Sequence, residues 1–338
     1  MTQLLSGPDG VAEAARLLIH GEIVAIPTET VYGLACILTD EAVARVYAAK
    51  GRPSDNPLIV HIAEPEDLEA AARDVPEAAS ALAARFWPGP LTLVLPKRPH
   101  IPASVTAGLD TVAVRCPAHE TARAVIRLAG QPLSAPSANR SGSPSPTTAR
   151  HVLDDLGGRV AAVLDGGPCA VGLESTVVSV CGTGSVCGTG SDMPCLLRPG
   201  GVTLEELEAV LGPVSVDPAV LASIEAGETP SAPGMKYRHY APSVPLVILR
   251  GPVGAARDYV SAQAGRCGVL CMDGEAGAFD GLPVIRYTPE TLFSALRRVD
   301  AMGLDRVFVR VPEATGIGLA VANRLEKAAG HNQLRVES

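Results

Sequence analysis

The chain is poor in aromatic residues (3%), has only four lysines, and shows no C-x-x-C pair among its eight cysteines. It contains no run of 18 apolar residues, no Walker A pattern and no G-x-G-x-x-G; Gly316-Ile-Gly318 is a lone G-x-G that reads as helix packing. Each absence closes a class. Without a long apolar run there is no candidate membrane span. Asp9, Glu13 and Arg16 stand where a secretory leader needs an unbroken apolar stretch, so the cytoplasm is the expected compartment. Cysteines in apolar, strand-like settings such as Cys116 and Cys271 read as buried thiols rather than disulfides, and no His, Cys and Asp cluster has metal-ligand spacing. A formal net charge of -8, with no basic stripe and few aromatics to stack on bases, argues against an RNA-binding module or a membrane-coating surface.

What is present is a turn-rich α/β pattern. A length of 338 residues suggests two domains at roughly 150 residues each. Apolar periodicity predicts helices over 9–20, 40–49, 65–73, 76–86, 119–129, 147–156 and 203–211. Between them it predicts strands over 22–26, 57–62, 91–95, 111–115, 132–135, 160–164, 175–180 and 195–198. Residues 1–212 are therefore expected to form one domain. A Pro-, Ser- and Gly-rich stretch over 213–245 reads as a linker. Beyond it, strands at 246–250, 268–272, 283–287 and 306–311 alternate with helices at 252–263, 289–302 and 315–329, which predicts a small open parallel sheet over 246–338. Ser179 to Gly190 spells Ser-Val-Cys-Gly-Thr-Gly twice and reads as a lengthened hairpin loop.

The cations fall at element ends. Lys50 and Arg52 follow a helix and precede a Pro-bounded turn holding Asn56, and Arg115 ends a strand just before Pro117. Arg198 ends another strand before Pro199-Gly200-Gly201. One cation at a helix end is explained by the helix dipole, but two at fixed spacing suit an anionic ligand. An arginine at the carboxyl end of a buried strand is costly unless it meets an anion. Hydroxyl-rich turns accompany them: Pro27-Thr-Glu-Thr-Val-Tyr-Gly33, which reads equally as a helix cap or turn, and Ser134-Ala-Pro-Ser-Ala-Asn139. The linker peptide Pro233-Gly-Met-Lys-Tyr-Arg-His-Tyr240 concentrates tyrosine and basic residues, as a lid over an anionic, planar ligand would. Residues 1–215 hold 15 basic and 23 acidic groups, so any basic pocket is hidden inside an acidic domain.

These motifs, with Asn56-Pro-Leu58, Glu174-Ser-Thr176 and Leu197-Arg-Pro-Gly200, resemble in order those of the threonylcarbamoyl-AMP synthases in their long, two-domain form. The resemblance implies a twisted mixed α/β sheet with a concave, positively charged cavity, plus a smaller Rossmann-like α/β domain. It implies formation of threonylcarbamoyl-AMP and pyrophosphate from L-threonine, bicarbonate and ATP, with Mg2+ carried by the ATP rather than by a protein metal site. A separate tRNA threonylcarbamoyl transferase would consume the product to make N6-threonylcarbamoyladenosine, with no stable tRNA binding and no membrane contact by this chain. By motif, Thr30, His61, Arg115, Ser134 and Ser175 would hold L-threonine, although a backbone group at Ser134 or Ala135 could serve equally. Lys50, Arg52, Asn56, Thr111, Ser137, Asn139, Ser145, Arg198 and Tyr237 would hold ATP, with Lys50 and Arg52 the catalytic cations. Two features depart from the pattern: Ala35 stands where glycine is frequent, and an insertion over 181–194 lengthens the loop before Arg198. The hydrogenase-maturation carbamoyltransferases share this domain, but they carry zinc-finger cysteines and further domains that this chain lacks.

Overall fold

The structure, a computed structural model, describes residues 1–181, 193–220 and 240–337. The chain divides into two compact units, Met1–Ser141 with Ser145–Lys236, and Gly142–Pro144 with Tyr237–Ser338. In the first unit the strands are β1 (Gln3–Leu5), β2 (Val24–Ile26), β3 (Gly33–Ile37), β4 (Ile59–His61), β5 (Leu91–Pro96), β6 (Thr111–Arg115), β7 (Leu133–Ser134), β8 (Ala162–Leu164), β9 (Thr176–Ser179), β10 (Cys195–Arg198) and β11 (Ser215–Val216). They form one mixed sheet in the order β1-β8-β2-β3-β7-β4-β6-β5-β9-β10-β11.

Strand direction in this sheet sets the site. Strand β4 runs parallel to β6 with His61 opposite Arg115, and β6 runs antiparallel to β5 with Val114 opposite Leu93. Strand β5 is parallel to β9, which is antiparallel to β10. The carboxyl ends of β4, β6 and β10 and the amino ends of β5 and β9 therefore share one edge. His61, Arg115, Thr92, Ser175 and Arg198 lie along it.

Local chemistry explains the flanking helices. The Thr39 hydroxyl accepts from Ala42 N (3.3 Å) at the start of helix Asp40–Lys50, which ends on Gly51 at φ 63°, a left-handed conformation suited to glycine. Of the two threonines before helix Ala149–Leu156, Thr148 is the cap. Helices Gly7–Ile19 and Glu120–Ala129 bury Leu18, Val125 and Ile126 with Ile26, Leu133 and Leu164 of the sheet.

In the second unit β12 (Leu246–Arg250), β13 (Cys267–Met272), β14 (Val284–Tyr287), β15 (Arg306–Val309) and β16 (Gln333–Arg335) are parallel throughout, in the order β14-β13-β15-β12-β16. Helices Val253–Ser261, Leu292–Ala301 and Ile317–Ala329 connect them. Phe279, Phe308, Leu249 and Val269 belong to its core.

Four strands escape the periodicity reading. Strands β1, β11 and β16 are two or three residues long and lie at sheet edges, while β3 is an unbroken apolar run without alternation. Residues 213–216, expected to open the linker, instead lead into β11, which extends the first sheet by pairing with β10. The expected lid peptide up to residue 239, with Tyr237, and most of the duplicated Ser179–Gly190 loop lie outside the described residues. Cys36, Cys116, Cys169, Cys181, Cys267 and Cys271 are free thiols, but Cys195 is disulfide-bonded, contrary to the expectation of thiols alone.

Candidate functional site

The turn between β2 and β3 is organised by Thr28, whose hydroxyl donates to Val31 O (2.6 Å) and lies 2.8 Å from Thr30 Oγ1. This turn resolves the two readings of its sequence. It caps no helix, and it delivers Thr30 to the strand-end arginine, whose Nη1 donates to Thr30 Oγ1 at 2.7 Å. Arg115 is 3% exposed; its Nε donates to Gly89 O (3.2 Å), and its Nη2 lies 2.7 Å from Glu29 Oε1. His61, beside it in register, has Nδ1 3.2 Å from Ile59 O. Burial, and then the charge of Arg115, push its pKa down to about 3, so the ring is neutral at physiological pH. Ser134 is fully buried and its Oγ has no hydrogen-bond partner.

The Ser134–Asn139 segment carries a second group. Ser137 Oγ donates to Asn139 Oδ1 (2.6 Å), and Leu34 N donates to Pro136 O (2.7 Å), tying the segment to β3. Lys50 meets this same loop. Its ammonium is buried and donates to the carbonyls of Ser137 and Asn139, the latter at 2.7 Å. Burial, followed by the nearby charge of Arg52, holds its pKa well below the usual lysine value. Three backbone and amide oxygens of one loop converge on it, which satisfies a buried ammonium where water cannot. Arg52 is half-buried and reaches Asn56 O (3.3 Å) and Pro57 O (3.1 Å). Asn56 is buried, and its Oδ1 has no hydrogen-bond partner.

A third group joins the sheet edge. Arg198 is buried and donates to Ser175 O (2.9 Å) and Ser175 Oγ (3.1 Å), while Ser175 Oγ lies 2.7 Å from Thr92 Oγ1. Ser145 Oγ donates to Glu174 Oε1 at 2.6 Å, with both residues buried. Gly200 is required here, because a Cβ at that position would overlap the backbone of Glu174 and Ser175. Thr111 begins β6, half-buried, at the far end of the strand from Arg115.

Thr30, Arg115 and His61 are thus brought together, as are Lys50, Ser137 and Asn139, and Ser175 with Arg198. The motif reading missed two buried acids, Glu29 and Glu174. Each stood inside a quoted motif, next to a hydroxyl residue given a ligand role. The overlooked signal was an acid in a strand-end turn of a domain whose arginines also end strands.

Fold and site define an α/β protein with buried arginines and hydroxyls gathered at the edge of a mixed sheet. The family model described as "Telomere recombination" matches residues 16–200, and "Threonylcarbamoyl-AMP synthase, C-terminal domain" matches 202–330. Threonylcarbamoyl-AMP synthase of Pyrococcus abyssi is 45% identical over 337 residues, covering 96% of this chain and 95% of its own length. That of Bacillus subtilis is 46% identical over 346 residues, covering 98% and 96%. The crystal structure of P. abyssi Sua5 complexed with L-threonine superposes with a TM-score of 0.89 at 43% identity, covering all of both chains. The chain belongs to the threonylcarbamoyl-AMP synthase family. It is accordingly a nucleotidyltransferase of tRNA modification, joining L-threonine, bicarbonate and ATP into threonylcarbamoyl-AMP.

Proposed function

We propose that the Thr30–Arg115 group is the L-threonine pocket and that the neighbouring loops hold ATP for adenylation of N-carboxythreonine. The observation that carries this reading is the buried Arg115 guanidinium, flanked by Thr30 and a neutral His61. Arg115 pairs the substrate carboxylate, while Thr30, His61, Ser134 and Ser175 contact the rest of the amino acid. The orphan Ser134 hydroxyl supports that assignment, since a buried hydroxyl without a partner costs free energy that a ligand can recover.

For ATP, the reading assigns Arg52, Asn56, Thr111, Ser137, Asn139, Ser145 and Arg198, with Tyr237 outside the described residues. Arg52 and Arg198 face the charge that develops as the carbamate oxygen attacks the α-phosphate and pyrophosphate leaves. Lys50 acts by holding the Ser137–Asn139 loop in place. Among the described residues no three His, Cys, Asp or Glu side chains converge as a metal site. In this reading Mg2+ arrives on triphosphate oxygens and water. No step here depends on it.

In this reading the enzyme works in the cytoplasm and its product passes to a separate tRNA transferase. Among the described residues no helix is long and apolar enough to cross a membrane. The test is pyrophosphate release from ATP, expected to require both L-threonine and bicarbonate. Release that continues unchanged when either is withheld sinks the proposal.

A further inference from the structure

Among the described residues of the first unit three acids are buried: Glu29, Glu174 and Asp217. Two of them have clear structural work. Asp217 Oδ1 accepts from Ala219 N (2.8 Å) in its own turn, and Glu174 accepts from Ser145. Glu29 is different. It is 9% exposed and lies 2.7 Å from Arg115 Nη2, yet neither carboxylate oxygen nor Nη2 completes an aligned hydrogen bond. Its position is set by the backbone, since Val171 N donates to Glu29 O (2.7 Å) and Thr28 organises the turn around it. A buried carboxylate whose neighbours are the Arg115 guanidinium and the amides of Ala118 and Glu29 keeps lone pairs for a donor that the substrate brings.

We propose that Glu29 receives the ammonium of L-threonine and accepts a proton from it as the carbamate forms. This rests on reading the Thr30–Arg115 pocket as the threonine site. The α-ammonium is one carbon away from the α-carboxylate, so a carboxylate on Arg115 brings the nitrogen toward the arginine's other neighbours. In the step itself the nitrogen lone pair forms the N–C bond and the C–OH bond of bicarbonate breaks. Of the two protons lost by the ammonium, one leaves with that hydroxide as water and the other passes to Glu29. Ammonium, bicarbonate and carboxylate become carbamate, water and carboxylic acid, with charge conserved.

The groups facing Glu29 favour this acceptor. They are Arg115 from β6, His61 from β4, and the thiols of Cys116 and Cys169. Burial pushes both thiols up to about 12, so they stay neutral. Burial alone would raise the Glu29 pKa, but Arg115 and the amides of Ala118 and Glu29 outweigh it, and the resting group is a carboxylate. Once the substrate carboxylate shares Arg115, one guanidinium serves two anions and the proton affinity of Glu29 rises. His61 is the competing base. Protonating it would create a second buried cation beside Arg115, whereas protonating Glu29 removes a buried anion.

The experiment compares wild type, Glu29→Gln, Glu29→Asp and Arg115→Lys. Calorimetry measures binding of L-threonine alone, and pyrophosphate release is followed from pH 6.5 to 9. Glu29→Gln is expected to bind L-threonine within about tenfold of wild type and to release pyrophosphate at least a hundredfold more slowly. Its residual rate should rise about tenfold per pH unit, because only amine already deprotonated in solution can react, while the wild-type rate stays flatter. Glu29→Asp should recover part of the rate, and it keeps the test open if the glutamine variant does not fold. A Glu29→Gln rate near wild type, or a slow rate whose pH profile parallels wild type, overturns the proton-acceptor role. Wild-type L-threonine affinity in Arg115→Lys would instead overturn the pocket on which the proposal rests, whatever Glu29 does.

Discussion

The two units engage arginines at strand ends in opposite ways. In the second unit, Arg310 follows β15 and is fully engaged: Nε and Nη2 meet Glu275 at 3.0 and 3.1 Å, and Nη1 donates to Leu249 O and Gly251 O at 3.0 and 2.9 Å. Arg250, at the end of β12, pairs with Glu326 at 2.7 Å. In the first unit, Arg115 meets an acid at ion-pair distance without aligned hydrogen bonds, and orphan polar atoms at Glu29 and Ser134 lie in the same region. A parallel α/β sheet with ligands at its carboxyl edge is the customary place to look for a nucleotide. Here Arg310 and Arg250 at that edge each meet an acid of their own, whereas in the mixed sheet Arg115 stands beside the orphan atoms of Glu29 and Ser134. Fold analogy alone would point to the second unit, away from the motif residues.

Substitutions on the two sides should separate function from stability. The largest effect is expected for Arg115→Ala, which should lower pyrophosphate release well over tenfold. It should also cost about 3–5 kcal/mol of stability, because Glu29 is left buried without a counter-charge; denaturant unfolding beside a rate assay checks both. Arg52→Ala should lower the rate at least tenfold, equivalent to about 1.4 kcal/mol of transition-state stabilisation. Its unfolding midpoint should stay close to wild type, and near-normal turnover would remove Arg52 from the site. Arg310→Ala should do the reverse, with about 2 kcal/mol lost on unfolding and a rate within twofold of wild type. A large rate loss there would erase the contrast between the units.

The smallest effect concerns pH. His61 stays neutral in the folded protein down to about 3, while the unfolded imidazole takes a proton below its ordinary value of 6.5. Between those values the unfolded chain binds more protons, so stability falls on acidification through the window, by up to about 1.4 kcal/mol per pH unit. His61→Asn should flatten the unfolding free energy between pH 6.5 and 5. An unchanged slope would mean that other groups control it.

Much of this molecule is legible without coordinates. Alternating apolar runs mark most strands and helices of both units, because burial on a sheet or helix face imposes its period on the sequence. Residues at element ends, such as Arg115 and Arg198, stand out because charge is costly at a buried strand terminus. The elements that escaped were short edge strands and β3, whose burial on both faces removes the alternation.

Residue type and spacing thus determined the α/β class and the set of strand-end cations, since each depends on local periodicity or on the cost of a charge at a known position. Only the tertiary structure decided what those cations meet. Parallel pairing of β4 with β6 set His61 beside Arg115, and a turn some 85 residues away in sequence brought Thr30 and Glu29 to the same guanidinium. The loop carbonyls that surround Lys50 come from 87 and 89 residues further along. Such partners are chosen by strand order and register, which no local pattern encodes, and they determine whether a buried charge is closed off or left open to a ligand.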